Sequence, residues 1–471
     1  NLLTTYLILN QHIIIYIFFF AGFLFLGSCK KYVEVDPPRT SLSDELVFTD
    51  DKTAESSLTG LYSTMNSYSS SFANTQANFY PSMSADDFHV ATANTTSDEF
   101  KENGLTIGNS VVSGLWSQPY SLIYHANAVI EELNISITLS LAKSTQLMGE
   151  AKFLRAFFYF HLVNYFGDVP LITNTDFLIN TSLPRTKADL VYDAIIQDLL
   201  DAQAALSDNY PQSERIRANK GAATALLARV YLYRSQWDKA ETESAKVIDD
   251  AKYVLQTNIN NVFLRTSTEA IWQLQAINTS TAGPINTWEG YSIIPINATT
   301  APGYVMYPNF ISSFESLTDK RYLNWLKAYT PAVGPIVFYP FKYKVRTGTV
   351  TEYSMVLRKA EQYLIRAEAR AQLNNLSGAK SDIDEIRIRA GLPILGAGLT
   401  KDQILLAVEK ERKLELFSEW GHRWFDLKRT GRVVTVLGAF KTAVSTDDQL
   451  YPIPLNATLT NNNLVQNPGY F

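Results

Sequence analysis

Polar and apolar positions recur at helical spacing through most of the chain after Asp50. In "DKTAESSLTGLYSTMNS", Leu58, Leu61, Tyr62 and Met65 fall on one face of a helix. "LWSQPYSLIYHANAVIEEL" repeats the pattern at Leu115, Leu122, Ile123, Ala126 and Ile130. "KADLVYDAIIQDLLDAQAAL" does so at Tyr192, Ile195, Ile196, Leu199 and Leu206. Each segment predicts an amphipathic helix stacked on a neighbour. Two further segments share a small-residue template. "ALLARVYLYRSQWDKAETESAKVI" carries Ala228 and Ala240, with Trp237 three residues before the second alanine. "YLIRAEARAQLNNLSGAKSDIDEI" carries Ala367 and Ala379, with Leu376 in the matching place. Small residues at this spacing let two antiparallel helices cross closely, as in tetratricopeptide-like pairs. Ordinary helical hairpins would show the same two matches, because the copies form no contiguous array.

Between these copies the pattern breaks. From Trp272 to Tyr343 no long amphipathic helix is predicted, and Pro, Gly, Asn and Thr are frequent. Fourteen of these 72 residues are aromatic, about 19%, against 12% for the chain. Rings without a packing stripe suggest a loop-built insertion over a helical scaffold, where binding residues usually lie. At the other extreme, Ile13 to Leu26 is apolar throughout except for Tyr16. That run suits the core of a secretory signal better than a membrane span. It ends on Leu26-Gly27-Ser28-Cys29, which looks like a bacterial lipobox, and Cys29 is the single cysteine of the chain. Cys29 is thus expected to be a lipid attachment point, and "KKYVEVDPPR" an extended tether. Two features depart from a secretory signal: there is no initiator Met, and no Lys or Arg precedes the apolar run. The alternative is an uncleaved anchor over residues 2–28, which would tend to keep Lys30 and Lys31 cytoplasmic.

Composition excludes several classes. One cysteine rules out an internal disulfide framework and CxxC metal sites. With 41 Lys+Arg against 46 Asp+Glu, the net charge is -5, which argues against a nucleic-acid binder. The five histidines, His12, His89, His125, His161 and His422, have no zinc-ligand spacing, and HExxH is absent. There is no GxSxG elbow and no Gly-rich phosphate loop. No cofactor, metal or catalytic set is expected. The acidic pairs Asp86-Asp87, Asp98-Glu99, Asp249-Asp250 and Asp447-Asp448 read as solvated turns or caps, Asp86-Asp87 being the one to watch.

The densest charged stretch is "EKERKLELFSEWGHRWFDLKRTGR". It interleaves Glu411, Glu415, Glu419, Arg423, Asp426 and Arg429 with Leu and aromatic residues. A solvated helix face would segregate its charges. Mixed into an apolar surface, they predict a partly buried Arg–carboxylate network that pins the fold. The same mixture can mark an active site, but no nucleophile or cleft-forming turn accompanies it.

At this point a family resemblance emerges. "GEAKFLRAFFYFHLVNYFGDVPLI" and "ERKLELFSEWGHRWFDLKRTGR" resemble signatures of the SusD/RagB outer-membrane lipoproteins of Bacteroidetes. So do "SCKKYVEVDPP", "YLIRAEARAQL" and the ending "LYPIPLNATLTNNNLVQNPGYF". These motifs span essentially the whole chain after Cys29, and the irregular middle matches least. The resemblance implies a mostly α fold: a right-handed superhelix of tetratricopeptide-like helical pairs with a loop-rich insertion packed on it. It implies a surface lipoprotein, lipid-anchored in the outer membrane and facing outward. Such a protein captures glycan or another nutrient as the lid of a SusC-like TonB-dependent transporter and catalyses nothing. The expected division is signal peptide 1–28, tether 29–40, helical part 41–270, aromatic insertion 271–350, and C-terminal helical part 351–471.

Sugars offer apolar C–H faces to aromatic rings and hydroxyls to amides and carboxylates. On that basis the candidate ligand residues are Trp288, Tyr291, Tyr304 and Tyr307 from the middle. Asp87, His89 and Asn94 join them from "SADDFHVATANTTSDEF". For any single ring the competing expectation is a satellite core under a long loop. Two other functions remain open on the residues alone. One is a helical interaction scaffold without a small ligand. The other is a secreted glycosidase, which would need two carboxylates roughly 5–10 Å apart in a cleft.

Overall fold

A computed structural model describes residues 47–68, 70–277, 286–441 and 444–470. Cys29, the apolar run before it and the tether 29–40 lie outside the described residues. The Asp50 carboxylate caps α1 (Asp51–Met65) by accepting from the Lys52 and Thr53 amides. A π-helical turn (Phe72–Gln76) leads into α2 (Ala77–Ser84), β1 (Phe88–Val90) and α3 (Thr95–Glu102). Then come the helices α4 (Ser110–Ile135), α5 (Leu141–Phe166), α6 (Phe177–Asn180), α7 (Ala188–Ala205), α8 (Lys220–Tyr233) and α9 (Trp237–Asp249). Asn109, Ser140 and Asn219 cap α4, α5 and α8 with their side chains.

The next hundred residues hold only short elements. They are β2 (Ala270–Leu274), α10 (Trp288–Ile293), β3 (Tyr304–Met306), α11 (Pro308–Ile311), α12 (Lys320–Trp325), β4 (Leu326–Tyr329), β5 (Val337–Pro340) and β6 (Ser354–Arg358). Longer helices then return as α13 (Lys359–Gln372), α14 (Leu376–Arg389) and α15 (Lys401–Leu416), followed by α16 (His422–Arg429), α17 (Val433–Leu437) and α18 (Leu455–Thr460). Thr400 and Gln403 form a reciprocal capping box at the start of α15.

Among the described residues the fold is mostly helical, as its sequence pattern predicts. The long helices stack in order: α4 on α5, α5 on α7, α7 on α8, α8 on α9, α9 on α13 and α13 on α14. The two small-residue copies are therefore neighbours in space although the insertion separates them in sequence. Ala228, Ala240, Ala367 and Ala379 are all fully buried where these helices cross. β2 pairs antiparallel with β6 (Ala270↔Arg358, Leu274↔Ser354), tying together the points where the chain leaves the stack and rejoins it. The stripe residues of α1 and α4 named above are buried, as are Ile195, Leu199 and Leu206 around α7.

The second half of α5 is buried on every side, from Phe153 to Phe166, which explains a segment too apolar for one amphipathic face. Its C-terminal end is latched by the chain's closing segment. Tyr451 stacks on Tyr165 at 5.4 Å and its amide donates to the Tyr165 carbonyl at 2.8 Å. The Asn467 side-chain amide donates to the carbonyls of Phe166 (3.0 Å) and Tyr451 (2.8 Å). No helix among the described residues is long and apolar enough to cross a membrane.

Candidate functional site

The N-terminal loop and the aromatic insertion meet in a two-stranded ribbon. β1 pairs antiparallel with β3 in the register Phe88↔Met306, His89↔Val305 and Val90↔Tyr304. The pairing continues at both ends: the Tyr307 amide donates to the Asp87 carbonyl (3.1 Å) and the Ala91 amide to the Gly303 carbonyl (2.8 Å). Strand alternation sends Phe88 inward, where it joins Phe79 and Tyr304 in edge-to-face contacts. His89 takes the other face and packs on Tyr307 with ring centroids 4.8 Å apart. Partial burial lowers the His89 pKa, so the ring is neutral at physiological pH. Its Nδ1–H donates to the Val90 carbonyl at 2.7 Å, which leaves Nε2 as an acceptor for a ligand hydroxyl. Beyond the ribbon, Ala91 to Thr95 is exposed. Asn94 lies in this exposed stretch and caps α3, accepting from the Ser97 amide at 3.1 Å.

Five of the seven candidate residues are thus gathered by the ribbon and its loop: Asp87, His89, Asn94, Tyr304 and Tyr307. Trp288 and Tyr291 are not; they share α10, with rings 6.0 Å apart. Burial corrects the expectation of open stacking platforms. Trp288 is only 8% exposed, and its Nε1 donates to the Asn66 carbonyl at 3.3 Å. Tyr307 is equally buried and packs on Phe440, while Tyr304 is half-buried over Phe79. The Arg346 guanidinium covers Tyr291 at 4.2 Å from the ring centroid. The insertion lacks long helices, yet Tyr307, Phe310, Trp325, Tyr339 and Tyr343 join the main hydrophobic core, and Tyr304 packs against it, so these rings are core rather than platforms.

Asp86 and Asp87 are both buried, which corrects their reading as a solvated turn. Burial opposes ionisation of Asp86, yet Arg423 and Lys413 beside it hold its carboxyl well below the usual range. Asp87 has no such cation. Burial and the Asp86 charge push it up to about 6. One of its oxygens accepts from the Ser418 amide (3.2 Å) and the other is unpaired.

The charged stretch forms a buried web with partners from distant elements. Glu411 meets Arg321 (2.7 Å) and Arg387 (2.9 Å). Glu415 meets Arg358 (2.5 Å) and Arg389. Glu419 meets Arg358 (2.8 Å) and Lys342 (2.5 Å). Arg423 joins Asp86 (2.7 Å) to Glu409 (3.1 Å), and Asp426 joins Arg412 (2.7 Å) to Arg429 (2.8 Å). Arg429 also clamps Glu368. Burial opposes the charge on Glu415, but Arg389, Arg358 and Arg321 hold it ionised far below the usual range.

Between α15 and α16 the chain passes through left-handed backbone at Ser418 (φ 56°), Trp420 (φ 46°) and Gly421 (φ 68°). A Cβ at Gly421 would lie 2.9 Å from Pro81. The Trp420 amide donates to Asn78 Oδ1 (2.5 Å) and the Ser418 amide to Asp87. This turn therefore connects the web to the ribbon. Arg321, Lys342, Arg358, Arg387, Arg389 and Glu269 reach the web from other segments, and reading the sequence missed them. They lie outside 409–432 in sequence, so only tertiary packing brings them to it.

A stack of helical pairs carrying one ribbon-built rim defines a helical scaffold protein, and comparison places it further. Residues 31–232 match the profile of a family described as "Starch-binding associating with outer membrane", and residues 337–470 match that of the SusD family. Together they cover most of the chain, which belongs to the SusD/RagB family. SusD-like protein P38 of Formosa agariphila is 26% identical over 94% of this chain and 96% of its own length. Starch-binding protein SusD of Bacteroides thetaiotaomicron is 25% identical over 70% of this chain and 74% of its own. The crystal structure of a SusD superfamily protein from Bacteroides vulgatus superposes with a TM-score of 0.80 at 19% identity, covering 90% of this chain and 100% of that one. A laminarin-binding SusD-like protein superposes at 0.78 with 25% identity, with the same coverage.

Proposed function

We propose that this protein binds a glycan at the rim of the β1–β3 ribbon. In this reading it acts as the lid of a SusC-like TonB-dependent transporter, and it is no enzyme. One observation carries the site assignment: the ribbon sets the neutral, half-buried His89 beside the exposed loop Ala91–Thr95 and next to Gly303. Relatives described as starch-binding and laminarin-binding support a carbohydrate ligand. The glycosidase reading gains nothing from Asp86 and Asp87, whose carboxyls are buried, the first between Arg423 and Lys413 and the second under the Ser418 amide. The lipobox-like "LGSC" supports attachment through Cys29 to the outer membrane, facing outward.

A glycan array followed by calorimetry on the hits tests the ligand. Binding of one polysaccharide class is the expected result; no binding across plant, host and microbial glycans would overturn the reading. For the anchor, Cys29→Ala should release the protein from membranes and abolish acyl labelling. Absence of acyl labelling in the wild type would remove the lipoprotein assignment. Co-purification with a TonB-dependent transporter from the native membrane tests the lid assignment, and its absence would contradict it.

A further inference from the structure

Six exposed apolar side chains gather at one end of the helical stack. Ile135 closes α4, Ile137 lies in the α4–α5 turn and Leu141 opens α5; Phe177, Leu178 and Ile179 fill three of the four positions of α6. All six are more than half exposed, Ile137 to 97% and Leu178 to 82%. Hydrogen bonds bring the two groups together. Beyond α5 the chain returns along α4: the Tyr120 hydroxyl donates to the Pro170 carbonyl (2.8 Å), the Asn127 side-chain amide to the Ile172 carbonyl (3.1 Å), and the Thr175 amide to Glu131 (3.0 Å). One turn past Glu131, α4 ends. There the chain folds back through α6, the Asn180 side chain donating to the Asn174 carbonyl at 2.9 Å. The α4–α5 turn and α6 are therefore neighbouring tips of one edge.

The chain also enters at this edge. The Phe48 carbonyl, one residue into the described structure, accepts from the hydroxyls of Ser136 (2.8 Å) and Thr138 (3.3 Å). Asp51 fastens the far side of the same turn, accepting from the Ser140 amide (2.9 Å) and hydroxyl (2.6 Å). Val47 follows Cys29 by 18 residues, a reach of at most about 65 Å. The ribbon lies at the other end of α5. Tyr451, stacked on Tyr165, also shares a hydrogen bond with Ser84 at the end of α2 (2.9 Å), just before the ribbon. The 26 residues of α5 put about 39 Å between the two ends. An anchor at Cys29 thus leads to the apolar edge, and the ribbon lies far from it. Clusters of exposed apolar residues mark contact surfaces. These project from a turn and a four-residue helix, so they form a convex edge rather than a groove, and a fluid hydrocarbon phase can close around such an edge.

We propose that this edge is a membrane-contact surface: its tips enter the headgroup–acyl boundary of the bilayer that holds the Cys29 anchor, and the ribbon is kept clear of it. The inference rests on the lipoprotein reading and adds a second, non-covalent contact to it. With Cys29 acylated, Leu178→Cys supplies the one free thiol of the chain. The acylated variant is labelled there with an environment-sensitive fluorophore and reconstituted, without transporter, into vesicles of phosphatidylethanolamine and phosphatidylglycerol that carry acyl-chain doxyl lipid. Val333→Cys, at the exposed tip between β4 and β5, is the control. The Leu178 label should shift to the blue and lose fluorescence to the doxyl group; the Val333 label should do neither. Adding Phe177→Ser and Ile137→Ser should weaken the quenching at Leu178 and leave the melt unchanged, since both side chains are exposed. Solvent-like signals at both positions, or quenching that ignores the two serines, overturn the membrane contact. A Leu178 label that is solvent-like in these vesicles but shielded in a co-purified transporter complex assigns the edge to a protein partner and overturns it too. Mass spectrometry of Cys29 separates the two readings: an acylated protein with a solvent-like label loses the membrane edge alone, and an unacylated one loses both.

Discussion

The web around Glu415 and the rim of the β1–β3 ribbon are both rich in polar groups, and they differ in what answers those groups. In the web, each of Glu411, Glu415, Glu419, Arg423, Asp426 and Arg429 has an opposite charge at hydrogen-bonding distance, supplied by another element. At the rim, the loop Ala91–Thr95 turns to solvent, and the neutral, half-buried His89 has Nδ1 bonded to the Val90 carbonyl but Nε2 left as an acceptor. Side chains answered by the protein itself hold the fold. Those left to solvent are free to take a ligand. Asp86 and Asp87 divide along this line within two residues: the first is ionised between two cations, the second lies at the ribbon's base with one oxygen unpaired.

The largest expected effect breaks the web. Arg423→Ala leaves the buried Asp86 with Lys413 as its remaining cation, so the cost should lie toward the lower end of the range for a fully stranded buried charge, about 3–5 kcal/mol. Its melting temperature should drop clearly in a calorimetric scan, and a near-wild-type melt would show that the web is not what pins this turn. Trp288→Ala sharpens the comparison from the insertion side. Emptying a buried indole site costs roughly 3 kcal/mol or more, so stability should fall while glycan affinity at permissive temperature holds. The reverse pattern would return Trp288 to the ligand site.

A smaller effect comes from Glu289, buried between Asn78 and Ser354. Burial pushes its carboxyl from the ordinary 4.5 up to about 7, with the Glu352 charge a lesser cause. Between pH 4.5 and 7 the unfolded chain releases this proton before the folded one does. Stability is therefore lost as pH rises through that window, and the loss is complete above about 7. Glu289→Gln cannot ionise. It should match wild type near pH 4 and exceed it at pH 8 by on the order of 2 kcal/mol. Parallel urea titrations at the two pH values measure this, and an unchanged difference would deny the shift.

Much of the helical scaffold was legible in the sequence because its helices carry stripes, and stripes are local. Leu58, Leu61 and Tyr62 on α1, or Ala228 and Ala240 on the α8–α9 pair, announce their faces by spacing alone. The stacking of α9 on α13 was not legible, since nothing local says that the insertion returns to its starting point. In the insertion, aromatic enrichment located a region but could not orient its rings. Trp288 stands between turn residues in sequence, yet its indole is fastened under the loop by the Asn66 carbonyl. Within the ribbon, the meeting of His89 with Val305 depends on pairing across more than two hundred residues, which no spacing rule reaches.

The contrast between web and rim turns on His89. The most direct test is calorimetric titration of His89→Ala with the glycan that binds wild type, beside thermal melts of both proteins. The account predicts affinity weakened at least about tenfold, some 1.4 kcal/mol, with a melt close to wild type. Undiminished affinity in a variant with a lowered melt would make the ribbon part of the scaffold and contradict a glycan site at its rim.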